Sequence, residues 1–130
     1  MKDTDIAILC NGQFPDLYRE SMSFYEHLPY VKKHVDGKGG FYNFKFVNHV
    51  IKTTKEYPYD WVILIDEDCF ISDTDAMQEL LNWQIENQIH ISGMPDGGVI
   101  PLREFNPVGI NTYFSILDLK SIRQVYNESR

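Results

Sequence analysis

Asp66, Glu67 and Asp68 follow at once on five apolar residues, Trp61 to Ile65. In extended backbone, side chains two residues apart point the same way, so Asp66 and Asp68 converge while Glu67 faces away. Converged carboxylates repel each other unless a proton or a cation sits between them. Oxygen donors of this kind suit a hard divalent ion, Mn2+ or Mg2+, which commonly takes one or two protein carboxylates together with substrate phosphates. Zinc does not fit: His27, His34, His49 and His90 show no i,i+4 pairing and no ligand spacing with Cys10 or Cys69. No Gly-x-Ser-x-Gly elbow or Cys-Gly-Ser-Cys context supports covalent acyl chemistry. A solvated acidic turn is the plainer reading of this stretch. It accounts well for Asp73 and Asp75, which serve the next helix, and less well for the repelling pair.

The elements around the triplet set where it sits. A continuous apolar run bounded by turn signals reads as a strand buried on both faces of a parallel sheet, whose carboxyl end is the ligand-binding edge of an open α/β fold. Upstream, Phe44, Val47, Val50, Ile51 and Thr54 give a helical apolar face between Tyr42 and Glu56. A strand-helix-strand crossover is therefore expected. Ile6 to Cys10 reads as the first strand, Asn11-Gly12 as a turn, and Pro15 to Leu28 as a helix, so the loop from Asn11 to Phe14 lies at a strand's carboxyl end. Tyr30 to Val35 is a short second strand. The glycine-rich loop after Asp36 lacks the spacing of a Walker loop or a dinucleotide fingerprint. After the triplet, Ser72 is expected to cap a helix carrying Met77, Leu80, Leu81 and Ile85, with Asp75 near its positive end and Trp83 off its apolar face. Ile89 to Ser92 and Asn111 to Leu119 read as further strands, and Ser121 to Arg130 as a last helix. The expectation is an α/β, three-layer sandwich with a mostly parallel central sheet, in one domain spanning residues 1–130.

Bulk properties narrow the function classes. The 130 residues, 43% hydrophobic, suffice for one core. With 12 basic against 19 acidic residues and no basic stripe, nucleic acid is not an expected partner. Cys10 and Cys69 read as reduced core thiols. The N-terminal apolar run is too short for a signal peptide or a membrane span, so a soluble cytoplasmic protein without a transmembrane segment is expected.

The strand ending in Asp66-x-Asp68, the upstream Gly37-Lys38-Gly39-Gly40 followed by Tyr42-x-Phe44-x-Phe46-x-Asn48, and the downstream Asn111-Thr112-Tyr113-Phe114 resemble a nucleotide-sugar glycosyltransferase of the GT-A fold. That resemblance implies a metal-dependent transferase moving a sugar from a nucleotide-diphosphate sugar donor to an acceptor hydroxyl. It implies that Asp66 and Asp68 hold a Mn2+ or Mg2+ ion bridging the donor diphosphate. It further implies contacts from Asn11, Gly12 and Gln13 to the base or ribose, Asn48 facing the donor site, and Asp96 as the base that takes the acceptor's proton. The chain departs from the family in its shorter length, in having no identifiable later histidine ligand, and in carrying Cys10-Asn11-Gly12 where Pro-Thr-Tyr-Asn is common. A short or truncated member is therefore expected, with an inactive GT-A-like fragment or binding module as the alternative. A haloacid-dehalogenase-like phosphatase, whose strand also ends in Asp-x-Asp, ranks lower, because Phe70 stands where that family has Thr or Val.

Overall fold

The computed structural model describes residues 1–37, 44–95 and 110–129. After a short 3-10 turn at Asp3–Asp5, the elements are β1 (Ile6–Gly12), α1 (Pro15–Ser23), β2 (Val31–Asp36), α2 (Phe44–Lys52), β3 (Trp61–Asp66), α3 (Thr74–Glu86), β4 (Ile91–Pro95), β5 (Ile110–Asp118) and α4 (Leu119–Glu128). They form an α/β fold around one open five-stranded sheet of order β2-β1-β3-β5-β4. β1 pairs in parallel with both β2 and β3, whereas β5 runs antiparallel to both β3 and β4. The sheet is thus mixed rather than mostly parallel in its pairings: four strands point one way, and β5 is reversed between β3 and β4. An apolar run records that a strand is buried, not which way its neighbour points, so this reversal had no signature in the pattern.

Alternation along the central strands sorts the core into two layers. Ile6, Ile8 and Cys10 of β1 and Trp61, Ile63 and Ile65 of β3 pack with Tyr18 and Met22 of α1 and Met77, Leu81 and Ile85 of α3. Ala7 and Leu9, with Val62 and Leu64, face the opposite way onto Phe46, Val47, Val50 and Ile51 of α2 and Leu119 and Ile122 of α4. A helix pair therefore covers each face of the sheet. Among the described residues no helix is long and apolar enough to cross a membrane.

Local chemistry explains the element ends. Pro15 opens α1, where its fixed φ and missing N–H cost nothing. The helix stops at Ser23 instead of continuing to Leu28. Beyond it, Phe24, Tyr25 and Leu28 donate their amides to carbonyls three residues back, and these tight turns keep Tyr25 and Leu28 facing the core without α-helical bonding. The cap of α3 is Asp73 rather than Ser72, its carboxylate accepting the Ala76 amide at 2.9 Å. An ionised cap interacts with the helix dipole as well as with the amide, which favours the Asp.

The other end of α2 is closed by a buried cation. Arg123 of α4 donates Nε to the Ile51 carbonyl at 3.0 Å and Nη2 to that of Val50 at 2.6 Å, and Nη1 reaches the Tyr59 carbonyl at 3.5 Å. The fork ties α4 to the last carbonyls of α2 and to the segment leading into β3. Arg123→Met, which keeps most of the stem packing, is expected to lower unfolding free energy by about 2–3 kcal/mol in urea titrations. Arg123→Lys should recover only part of that, because an ammonium cannot span carbonyls from two segments.

Candidate functional site

Parallel pairing puts Asn11, near the end of β1, beside Asp66, the last residue of β3. The carboxyl ends of these adjacent strands open into a cleft of about 280 Å³, lined by Asn11, Gly12 and Gln13 from one strand end and by Asp66, Glu67 and Asp68 from the other, with Phe14, Leu17 and Gly37 completing it. Residues far apart in sequence, both nominated on the sequence alone, thus meet in one place. Asn48 does not line this cleft. It is exposed on α2, because Phe46, Val47 and Val50 take the core-facing positions of that helix. Asp96, the expected base, lies outside the described residues.

The acidic end is electrostatically tense. Burial pushes the Asp66 carboxyl up from 3.8 to about 6, and the neighbouring charges of Asp68 and then Glu67 push the same way. Asp68, by contrast, is exposed. Its backbone carbonyl accepts a hydrogen bond from the Tyr113 hydroxyl of β5 at 2.9 Å, which braces the turn from the antiparallel side.

Glu67 turns out to have a separate task. Its side chain is buried, with Oε1 accepting the Gln13 amide at 3.1 Å and Oε2 the Phe14 amide at 2.9 Å. Its own amide donates to the Asn11 carbonyl at 3.1 Å. His34 Nε2 lies 3.9 Å from Oε2, the imidazole stacked on Tyr18 with ring centroids 4.5 Å apart. Gly12 is the counterpart of this arrangement: a Cβ there would stand 1.9 Å from Glu67 Oε2. The glycine admits the carboxylate, a packing role that the turn signal of Asn11-Gly12 did not reveal. One trace was present in the sequence. Phe14, the N-cap position of α1, carries no side chain able to cap, and an uncapped helix start calls for an acceptor from elsewhere.

Two further polar features complete the cleft. The Gly37 amide at the end of β2 donates to the Gly12 carbonyl at 2.7 Å, fixing the loop from its other side. The Asn11 side-chain oxygen is buried with no hydrogen-bond partner among the described residues, an acceptor unsatisfied in a cleft-lining side chain. Cys10 and Cys69 are both free and buried. Burial first, with nearby carboxylates adding to it, pushes their thiols up to about 12 and about 11, so neither is poised as a nucleophile.

Asp66 and Asp68 offer oxygen donors only, and among the described residues no cluster of three or more His, Cys, Asp and Glu side chains forms a complete metal cage. Two carboxylates fit a hard ion that draws its remaining ligands from water and substrate phosphate. Compared with known protein families and with curated proteins, the chain matches no family model and no curated sequence.

The tension at Asp66 has a measurable sign. In the unfolded chain this carboxyl ionises near 3.8 and in the fold near 6, so the unfolded state binds fewer protons between those values and stability falls as pH rises through them. Asp66→Asn should therefore be more stable than the parent chain at pH 7.5, by about 1 kcal/mol after allowance for solvent screening. The advantage should vanish near pH 4, as checked by urea denaturation across that range.

Proposed function

We propose that this chain is a metal-dependent glycosyltransferase of GT-A type, which transfers a sugar from a nucleotide-diphosphate sugar to an acceptor hydroxyl. The observation that carries the reading is the meeting of Asp66 and Asp68 with the Asn11–Gln13 loop in one cleft, at the carboxyl ends of adjacent parallel strands. That edge is where open α/β sheets bind ligands, and here it holds a carboxylate pair beside the unpartnered, buried side-chain oxygen of Asn11.

The residues divide the work. Asp66 and Asp68 would hold a Mn2+ or Mg2+ ion against the donor's diphosphate. That ion would supply Lewis-acid stabilisation of the charge that develops on the departing diphosphate. Asn11 and Gln13 offer amide groups that suit the hydrogen-bonding edges of a base or ribose. Phe14, largely exposed at the same loop, and Leu17 provide the apolar part of the wall. Proton removal from the acceptor falls to none of the three acids at the end of β3. Asp66 and Asp68 would be committed to the cation, and both oxygens of Glu67 accept backbone amides. Asp96 remains the proposed base.

Thermal melting with Mn2+ and a panel of nucleoside diphosphates tests this reading. Melting should rise with metal and nucleotide together, and the rise should disappear in Asp66→Ala and in Asp68→Ala. Stabilisation of about 2–3 kcal/mol is expected at a hundredfold excess over the dissociation constant. No stabilisation in any combination would instead make the chain a GT-A-like module without donor binding. Turnover of a generic phosphoester, abolished by Asp66→Asn, would identify a phosphatase.

A further inference from the structure

We infer that Glu67 is the positioning residue of the cleft, a buried clamp that holds the Asn11–Phe14 loop on the acidic end of β3 and so makes the metal side and the nucleoside side a single site. The identity of the ligands rests on the transferase reading above; the clamp itself rests on geometry. Each carboxylate oxygen accepts one backbone amide, Gln13 on Oε1 and Phe14 on Oε2, and the side chain is buried, so its orientation is fixed by the loop it holds. Among the described residues no other side chain accepts these two amides. Phe14 has no capping side chain, Pro15 follows directly, and the acceptor that serves the start of α1 comes from the turn just beyond β3.

Covalent position makes the clamp a coupling device. Glu67 lies between Asp66 and Asp68, so it cannot shift without moving the backbone that aims both carboxylates. Its amide is itself bonded to the Asn11 carbonyl, giving three hydrogen bonds between this one residue and the loop. A charged acceptor at the start of a helix makes stronger bonds than a neutral one. Gly12 belongs to the same device, since any larger residue occupies the space of the carboxylate. By reciprocity, whatever orders the loop favours the metal-competent arrangement of the strand end, and the reverse.

The test combines amide hydrogen exchange with calorimetric binding of Mg2+ alone and of Mg2+ with UDP, GDP or ADP. In Glu67→Gln, one oxygen becomes an NH2 facing a backbone N–H. Exchange at Gln13 and Phe14 should then quicken about tenfold or more, while exchange in the interior of β1 and β3 stays slow. Nucleotide affinity should fall by about tenfold as well. Gly12→Ala should reproduce both effects, and adding it to Glu67→Ala should cost nothing further, the non-additivity expected of two parts of one contact. Unchanged exchange at Gln13 and Phe14 in Glu67→Gln overturns the proposal. So does faster exchange with unaltered affinity, which would reduce Glu67 to a helix cap, and so does full additivity of Gly12→Ala with Glu67→Ala. If the parent chain binds none of the nucleotides, it is the transferase reading that fails, and the exchange measurement and the double-variant comparison still decide whether Glu67 holds the loop.

Discussion

Trp61, Ile63 and Ile65 press into the layer of α1 and α3, and Val62 and Leu64 into that of α2 and α4, so β3 is hydrated on neither side. A strand in that position has polar freedom only at its ends. The first residues past the apolar run are the acids, and they emerge where burial still reaches them: Asp66 is half-shielded and its carboxyl is held near 6. The tension at the site is therefore a consequence of how the core is built. Moving the acids further out would relax them.

The three acids also divide, although Glu67 and Asp68 lie in the turn that follows β3. All three line the cleft, but Asp68 is exposed, whereas the Glu67 side chain is buried against the amides of Gln13 and Phe14. Three like-charged neighbours avoid competing because one has its charge met by backbone N–H groups at the start of α1. Gly12 is required by the same packing, since the buried carboxylate needs the volume that a side chain on β1 would fill. A similar solution appears at the other end of the molecule, where the carbonyls ending α2 meet the guanidinium of Arg123. In both places a charge from a distant segment satisfies helix-terminal groups and ties two elements together.

Much of this was readable along the chain wherever the signal is local. The strands of the first half, the helix beginning at Pro15 and the buried character of Trp61 to Ile65 stand close to where periodicity put them, whereas Asn11 and Gly12, read as a turn, are the last two residues of β1. Periodicity misled at Phe24 to Leu28, because consecutive three-residue turns present apolar side chains at nearly helical intervals. It was silent on Asn48 in another way. A polar residue in an amphipathic helix is certain to face away from the core, but which surface it then faces depends on where the helix is docked.

The sequence by itself determined the composition of the core, the burial of β3 and the placing of the carboxylate pair just beyond it, because these follow from the order of apolar and polar residues in adjacent positions. Tertiary structure alone decided that β5 lies reversed beside β3, that Asn11 and Asp66 share a register, and that the Glu67 carboxylate accepts the Gln13 and Phe14 amides. These last features depend on contacts between residues some fifty positions apart. Their energy comes from groups that are strangers in sequence, an amide without a cap and a carboxylate without solvent, and only folding brings the two together.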